Sequence, residues 1–182
     1  MIECEIRAFI SEEEYHRLID FFKKNAEYKG EDMQQTNYFD AQTKVRTQKN
    51  SKGTKIILKK GNVHEGAREE IEIECAGEDF DKINKIFIEL GHPVVIEWYR
   101  KRHTFFWEGI TVCIDDTEGY GYIIELEKLI DEYQKEQTLT ELREKLNFLK
   151  IQETPKELFD KKFQHYKENW REMIDEYQHS IH

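Results

Sequence analysis

The stretch ITVCIDDTEGYGYIIELEK at residues 110–128 contains two predicted β-strands, separated by a short segment with Gly119, and the second strand begins at Gly121. Along the second strand Glu125 and Glu127 fall on one face, because successive side chains of a strand point to opposite sides. Ile124 and Leu126 fall on the other face. This alternation is typical of an antiparallel strand whose two faces lie in different surroundings.

The same alternation of charged and apolar residues recurs in most of the predicted strands. Glutamate is depleted in β-strands in general, yet the pattern E-x-E occurs in three separate runs, at residues 3–5, 70–74 and 125–127. Basic residues alternate with apolar ones in other strands. The charged faces together carry the acids Glu3, Glu5, Glu70, Glu72, Glu74, Asp115, Glu125 and Glu127 and the bases Arg7, Arg46, Lys55, Lys59, Arg100 and Arg102.

Eight β-strands are predicted before residue 130, mostly joined by short antiparallel connections. A capping box at Ser11 and Glu14 begins one helix, and the spacing of apolar residues predicts a crossover helix over residues 78–90. Closure of the sheet would remove its exposed edges. We therefore predict an α+β fold in which residues 1–130 form a closed eight-stranded antiparallel barrel. The predicted strands are residues 2–9, 35–40, 44–49, 54–60, 68–75, 94–107, 110–115 and 121–128.

Residues 131–182 are predicted to form a helical extension. One helix begins near Thr138 and Glu141, and Pro155 stands near the start of a long amphipathic helix. We predict that both helices pack on the outside of the barrel, and a homodimer interface along the long helix is the alternative. The apolar stripe of that helix consists of Phe159, Phe163, Tyr166, Trp170, Met173 and Tyr177.

Two interpretations of the charged faces remain open from the pattern alone. In the first, each strand has an ordinary solvent-exposed face. In the second, the apolar faces point outward beneath the helices, and the charged faces point inward and line a tunnel. The second is favoured because E-x-E is rare in strands and because the terminal helices supply apolar surface that must cover something.

Enclosed charge is unfavourable unless it has partners, so a charged tunnel implies a ligand. Carboxylates suit hard divalent cations such as Mg²⁺ or Mn²⁺. Guanidinium and ammonium groups suit phosphoryl oxygens. Together the two sets of side chains predict a site for a metal-bound polyphosphate chain.

Composition and charge exclude several other classes of protein. The 182 residues carry 38 acidic and 28 basic side chains, and the formal charge of −10 argues against a general nucleic-acid binder. The sequence contains no apolar run long enough to span a membrane, and its first residues do not resemble a signal peptide, so we expect a cytoplasmic protein. Cys4, Cys75 and Cys113 are expected to be buried or half-buried thiols.

The motifs resemble, in chain order, those of the CYTH superfamily, the triphosphate tunnel metalloenzymes. ECEIR at residues 3–7 resembles the N-terminal E-x-E-x-K signature, and residues 114–127 are similar to the closing D-x-V-x-G-L-G-x-F-x-E-I-E block. The resemblance covers residues 2–128. Further matches lie between these two motifs, at residues 35–40 (QTNYFD), 45–46 (VR), 56–59 (IILK), 68–72 (REEIE) and 100–102 (RKR).

The resemblance implies a tunnel in which a divalent metal, Mg²⁺ or Mn²⁺, and a triphosphate-containing small molecule bind together. Glu3, Glu5 and Glu127 resemble ligands of the substrate-binding metal. Asp115 and Glu125 resemble ligands of a second metal that activates water. Glu72 is a candidate helper, and no protein general base is identified. The residues that resemble phosphate-binding groups are Arg7, Arg46, Lys55, Lys59, Arg100 and Arg102.

Two positions depart from the family pattern. Arg7 replaces the lysine of the E-x-E-x-K signature, which keeps the charge and changes the geometry of the donor. Gln48 replaces the second arginine of the L-R-x-R segment, which weakens one phosphate contact. Lys55 enters the same face and is a candidate replacement for it.

Three activities are compatible with these motifs. Hydrolysis of the terminal phosphoanhydride of inorganic, nucleoside or thiamine triphosphate is favoured over class IV adenylate cyclase activity, because residues 67–72 (AREEIE) lack the S-x-Y element of cyclase-like members. A non-catalytic polyphosphate or nucleotide binder is the third, although inward carboxylates would repel its ligand. The aromatic candidates for recognition of a base are Tyr38, Phe39, Trp98 and Tyr120, for which we favour a packing role.

Overall fold

The computed structural model of the chain describes residues 2–40, 44–59, 67–68 and 70–180. Within these residues nine antiparallel strands form one sheet in the order β5-β1-β9-β8-β7-β2-β3-β4-β6. The strands are β1 Ile2–Ile10, β2 Glu27–Phe39, β3 Lys44–Asn50, β4 Gly53–Lys59, β5 Ala67–Arg68, β6 Glu70–Cys75, β7 Val94–Trp107, β8 Ile110–Thr117 and β9 Gly121–Ile130. The helices are α1 Glu12–Asn25, α2 Phe80–Glu89, α3 Lys135–Phe148 and α4 Lys156–Ser180.

The two edges of the sheet are formed by β5 and β6, which follow each other directly in the chain. β5 pairs with β1, where Arg68 lies opposite Glu3, and β6 pairs with β4. The predicted strand at residues 68–75 is therefore divided between both edges. Among the described residues no hydrogen-bonded ladder joins the two edges, so the predicted closure of the sheet is not made by hydrogen bonds there. The α+β fold and its antiparallel sheet are confirmed, and the count of nine strands arises from this division.

The apolar faces of β1, β7, β8 and β9 are covered by α1 and α3. α1 begins with the predicted capping box, in which Glu14 N donates to Ser11 Oγ at 3.2 Å and Ser11 N donates to Glu14 Oε2 at 2.9 Å. For these four strands the prediction that the apolar faces lie under helices is confirmed, whereas Ile71 and Ile73 on the apolar face of β6 are 44% and 57% exposed. The buried side chains include Ile6, Ala8, Leu18, Phe22, Phe105, Val112, Ile114, Ile124, Leu126, Leu142 and Leu146.

The position of α4 corrects the prediction that both C-terminal helices pack outside the sheet. Phe159 of α4 stacks on Phe9 with ring centroids 4.3 Å apart, and Tyr166 contacts Trp98 at 5.1 Å. Phe9 shares its sheet face with Arg7, and Trp98 shares its face with Arg100. The aromatic stripe of α4 therefore covers one end of the charged face. Phe159, Tyr166 and Trp170 are buried within the chain and the other residues of the stripe are half-buried, so the stripe packs on the sheet and does not form the dimer interface that we considered.

The turn between β8 and β9 allows α4 to come close. Gly119 has a φ of 68°, and a Cβ atom added there would lie 2.6 Å from the carbonyl oxygen of Met173. A larger residue would be strained by its φ and would also collide with the helix backbone.

The division of the chain into a barrel domain at residues 1–130 and a helical extension at residues 131–182 stays a prediction.

Replacement of Tyr166 by alanine is expected to lower the free energy of unfolding by about 3–5 kcal/mol. Its side chain is fully buried, and its hydroxyl donates to the carbonyl oxygen of Glu118 at 3.2 Å. Denaturant unfolding followed by fluorescence measures the change. Tyr133→Ala is the control, because Tyr133 is 84% exposed and its loss should change stability by less than about 0.5 kcal/mol. Equal effects of the two substitutions would contradict the placement of α4.

Among the described residues, no helix combines the length and the apolar character that crossing a membrane requires.

Candidate metal and phosphate site

The strand register brings the predicted charged residues onto one face of the sheet. Glu5 lies opposite Glu127, and Arg7 lies opposite Glu125, in the pairing of β1 with β9. Arg102 lies opposite Asp115 in the pairing of β7 with β8. Directly paired residues project to the same side, so these side chains lie on adjacent strands of a common face.

Arg102 is the centre of the resulting cluster. Its Nε donates to Asp115 Oδ1 at 2.7 Å and its Nη2 donates to Asp115 Oδ2 at 2.6 Å. Nη2 also contacts Glu125 Oε2, and Nη1 lies 4.0 Å from Glu127 Oε1. One guanidinium group therefore joins three carboxylates from two strands, in the bidentate geometry that arginine favours.

Asp115 is held by a second arginine as well. Arg100 Nη1 donates to Asp115 Oδ2 at 3.0 Å, and Arg100 Nε donates to Gln34 Oε1 at 2.8 Å. The side chain of Asp115 is only 1% exposed. A carboxylate this deeply buried requires such partners, because the loss of hydration would otherwise be strongly unfavourable.

Arg7 links the cluster to β1 and to α4. Its Nε lies 3.0 Å from Glu5 Oε1, and its Nη1 lies 3.9 Å from Glu125 Oε1. The guanidinium carbon also sits 4.8 Å from the ring centroid of Phe159. This cation–π contact places the charged cluster directly beside the aromatic residues of α4.

Glu125 and Glu127 occupy the same buried region, and their pKa values are shifted in opposite directions. Burial raises the pKa of Glu127, and the neighbouring carboxylates of Glu125, Glu5 and Glu3 raise it further, while Arg102 opposes the rise. Burial also acts to raise the pKa of Glu125, but the nearby arginines, with Arg102 foremost, lower it below its ordinary value. The ionised form of Glu127 is therefore disfavoured in the absence of a cation, by burial and by the carboxylates around it.

The donor set around Glu127 fits a divalent cation. Ligand atoms of Cys113, Glu125 and Glu127 all lie within 4.8 Å of one another. A cation placed among them would stabilise the ionised form of Glu127, which burial and the neighbouring carboxylates disfavour. The carboxylate oxygens suit Mg²⁺ or Mn²⁺, whereas the thiol of Cys113 is a softer donor.

Several predicted site residues lie apart from this cluster. Lys55 Nζ pairs with Glu72 Oε1 at 2.6 Å and lies 4.0 Å from Glu74, in a more exposed part of the charged face. Arg46 Nη1 donates to Tyr38 Oη at 3.2 Å. Gln48, at the position that departs from the family pattern, donates to Thr36 Oγ1 at 3.2 Å. The side chains of Lys59 and Glu70 lie outside the described part of the structure.

Two members of the site were missed by sequence reasoning. Cys113 is buried as predicted for a thiol, but it shares its face with Asp115, and the alternation along β8 indicates this position. Gln34 was missed because the strand was predicted to begin at residue 35. The structure extends β2 back to Glu27, where pairing with β7 overrides a polar sequence with low strand preference.

The aromatic residues that were candidates for base recognition have packing roles. Trp98 and Tyr120 are buried and lie 4.6 Å apart between ring centroids, beneath α4. Tyr38 packs against Phe163 of α4, and Phe39 packs against Phe87 of α2 at 4.7 Å. These contacts support the packing interpretation for all four residues.

Comparison with known proteins identifies related sequences and folds. The model of the CYTH domain matches residues 1–163. A protein of Methanocaldococcus jannaschii named "Putative adenylate cyclase" is 40% identical over 85 residues, which are 46% of this chain and 47% of that protein. The chain thus spans about half the length of this curated relative.

Solved structures share the fold at low sequence identity. A conserved hypothetical protein from Pyrococcus furiosus has a TM-score of 0.70 and 21% identity, over 82% of this chain and 91% of that one. A structure from Hippeastrum, described as a "Putative adenylyl cyclase" with a dominant triphosphatase activity, has a TM-score of 0.61 and 19% identity, over 82% of this chain and 88% of that one. These structural likenesses show the fold alone. With the match of the family model to most of its length, the chain belongs to the CYTH domain family.

Proposed function

We propose that this protein is a metal-dependent triphosphatase that cleaves the terminal phosphoanhydride of a triphosphate within its charged inner face. The observation that carries this proposal is the interleaving of carboxylates and guanidinium groups around Arg102. Such a set can neutralise both a divalent cation and the phosphoryl oxygens that the cation accompanies. Phosphoryl transfer depends mainly on this neutralisation and on alignment of the nucleophile.

The residues that would hold the metals are Glu3, Glu5 and Glu127 for one ion and Asp115 and Glu125 for the other. A divalent cation supplies positive charge against the phosphoryl oxygens and activates water. Arg102 now binds both Asp115 and Glu125. Its guanidinium group would turn to the phosphate when the carboxylates turn to the metal, so that each buried charge keeps a partner.

The phosphate oxygens would be held by Arg7, Arg100 and Arg102 in the centre of the site. Arginine suits this role because its planar fork of donors matches a phosphoryl group. Arg46, Lys55 and Lys59 are proposed to extend the positive surface along the substrate. Glu72 pairs with Lys55, which supports a role in orienting that lysine more than a role in activating water.

Adenylate cyclase activity is the second candidate, and the name of the relative from Methanocaldococcus jannaschii favours it. In that reaction the ribose 3′-hydroxyl would attack the α-phosphate. The sequence AREEIE at residues 67–72 argues against cyclase activity, because it lacks the S-x-Y element that is typical of cyclase-like members of the family. The protein from Hippeastrum is named a putative adenylyl cyclase, but its dominant activity is described as that of a triphosphatase. In that protein the name and the main activity differ.

Phosphate release from tripolyphosphate, ATP and thiamine triphosphate, measured in parallel with Mg²⁺, Mn²⁺ or chelator, tests the proposal. Cyclic AMP is assayed in the samples with ATP. We expect metal-dependent release of phosphate and no cyclic AMP. Formation of cyclic AMP and pyrophosphate would support the cyclase. Binding of tripolyphosphate without turnover at any metal concentration would indicate a non-catalytic binder.

A further inference from the structure

Phe106 is an exposed aromatic residue on the charged face. It lies opposite Thr111 in the pairing of β7 with β8, and Thr111 lies opposite Glu127 in the pairing of β8 with β9. The three side chains therefore share one face. Phe106 is 45% exposed, and among the described residues of this face the aromatic rings of Phe9 and Trp98 are covered by α4.

The exposure of Phe106 is not required by the packing of its strand. The neighbouring residues Phe105 and Trp107 point to the opposite face, where both are buried against α1. Phe106 makes no comparable contact with another described ring. A large apolar side chain that stands open beside a polar site is a candidate contact for a ligand.

The position of Phe106 suits the organic end of a triphosphate. Phe106 and Glu127 lie two strands apart, and this separation corresponds to a distance of about 10 Å across the sheet. The opposite end of the charged face is covered by α4, so a phosphate chain bound at Arg102 and Arg7 would leave its substituent toward Phe106. A ribose between the phosphates and a base can bridge a separation of this order.

We propose that Phe106 is the stacking surface for the base of a nucleoside triphosphate. This inference rests on the proposed function and names the substrate class of the same site. Aromatic side chains can stack on any nucleobase, because every base presents a π face. Lys29 Nζ lies 5.7 Å from the centroid of the Phe106 ring and pairs with Glu27 at 2.7 Å. An ammonium group beside the ring disfavours a cationic thiazolium and can donate to a neutral base.

The test compares Phe106→Ala with the unaltered protein on two substrates. We expect the KM for ATP to rise about tenfold, since stacking on an aromatic ring contributes a factor of this order. The kinetic constants for tripolyphosphate, which has no base, should stay within about twofold. Phe106→Trp should restore the KM for ATP. Phe148→Ala is the matched control, because Phe148 is 67% exposed on α3 and should leave both substrates unaffected.

Equal changes for ATP and tripolyphosphate, or no change for either, would overturn the role of Phe106. Failure of the proposed function gives a different result, namely the absence of turnover of both substrates by the unaltered protein. In that case calorimetric titration with ATP and with tripolyphosphate replaces the kinetics. A selective loss of ATP affinity in Phe106→Ala would still support the stacking site. Absence of ATP binding to the unaltered protein would overturn it.

Discussion

Replacement of Glu127 by glutamine is expected to lower kcat/KM for tripolyphosphate by about 100-fold or more, the effect of losing one charged contact in a transition state. Glu127 lies in the buried cluster beside the carboxylates of Glu125 and Glu3, and directly opposite Glu5. Glutamine keeps the size of the side chain and removes the charge that a cation would need. Initial rates of phosphate release at saturating Mg²⁺ or Mn²⁺ measure the effect, and Glu5→Gln should behave similarly.

Glu74→Gln is the matched control for this loss of activity. Glu74 belongs to the same charged face, but its side chain is 83% exposed and it lies 4.0 Å from Lys55 in the outer part of the face. We expect its activity to stay within about twofold of the unaltered protein, as for most substitutions away from a site. Full activity of both Glu5→Gln and Glu127→Gln would show that the charged face is not the metal site.

Glu127 should also make the stability of the metal-free protein depend on pH. Burial and neighbouring carboxylates raise its pKa in the folded state above the ordinary value of 4.5. The folded protein therefore binds this proton more tightly than the unfolded chain does, so the contribution of Glu127 to stability is present at low pH and declines as pH rises above 4.5. Glu127→Gln should gain stability relative to the unaltered protein over this range, and added metal should reduce the gain.

Replacement of Arg102 by methionine is expected to lower the free energy of unfolding of the metal-free protein by about 3–5 kcal/mol. Methionine roughly fills the volume of the side chain but leaves the buried carboxylate of Glu125 without its closest guanidinium partner and Asp115 with fewer donors. Breaking one side of a buried ion pair is unfavourable because the remaining charge stays desolvated. Denaturant unfolding at neutral pH measures the change.

Lys55→Met provides the comparison for Arg102→Met. Lys55 forms a short ion pair with Glu72, at 2.6 Å, but both side chains are partly exposed. Water can solvate the glutamate after the lysine is lost, so we expect a change of less than about 1 kcal/mol. Mg²⁺ should restore part of the stability of Arg102→Met, because a cation can replace the missing positive charge. Similar losses in both variants would contradict the central position of Arg102.

The residues that belong to the charged face were largely predictable from alternation along the strands. Alternation places Glu5, Arg7 and Glu127 on one side without any knowledge of the partner strands. It could not indicate that Arg102 would bind Asp115 and Glu125 together, since that depends on the register between three strands. The charged face of a single strand is a local property, whereas the contacts across strands are not.

The position of α4 shows another limit of the sequence. The periodic spacing of Phe159, Tyr166 and Trp170 predicts which side of the helix is apolar. The spacing does not specify which surface of the protein this apolar side of α4 covers, because both faces of the sheet carry apolar residues. Phe9 and Trp98 are apolar residues within otherwise charged faces, and they provide the surface on which α4 packs. Their significance becomes visible only when the sheet is assembled.

The most direct test of the account is the initial rate of phosphate release from tripolyphosphate as Mg²⁺ or Mn²⁺ is titrated into chelator-treated protein. Glu127→Gln is measured beside the unaltered protein. We predict no release without metal, a saturable rise in the unaltered protein, and a rise in the variant that is about 100-fold smaller or absent. Release that is independent of metal, or equal in the two proteins, would contradict the assignment of this face as a metal-dependent triphosphatase site.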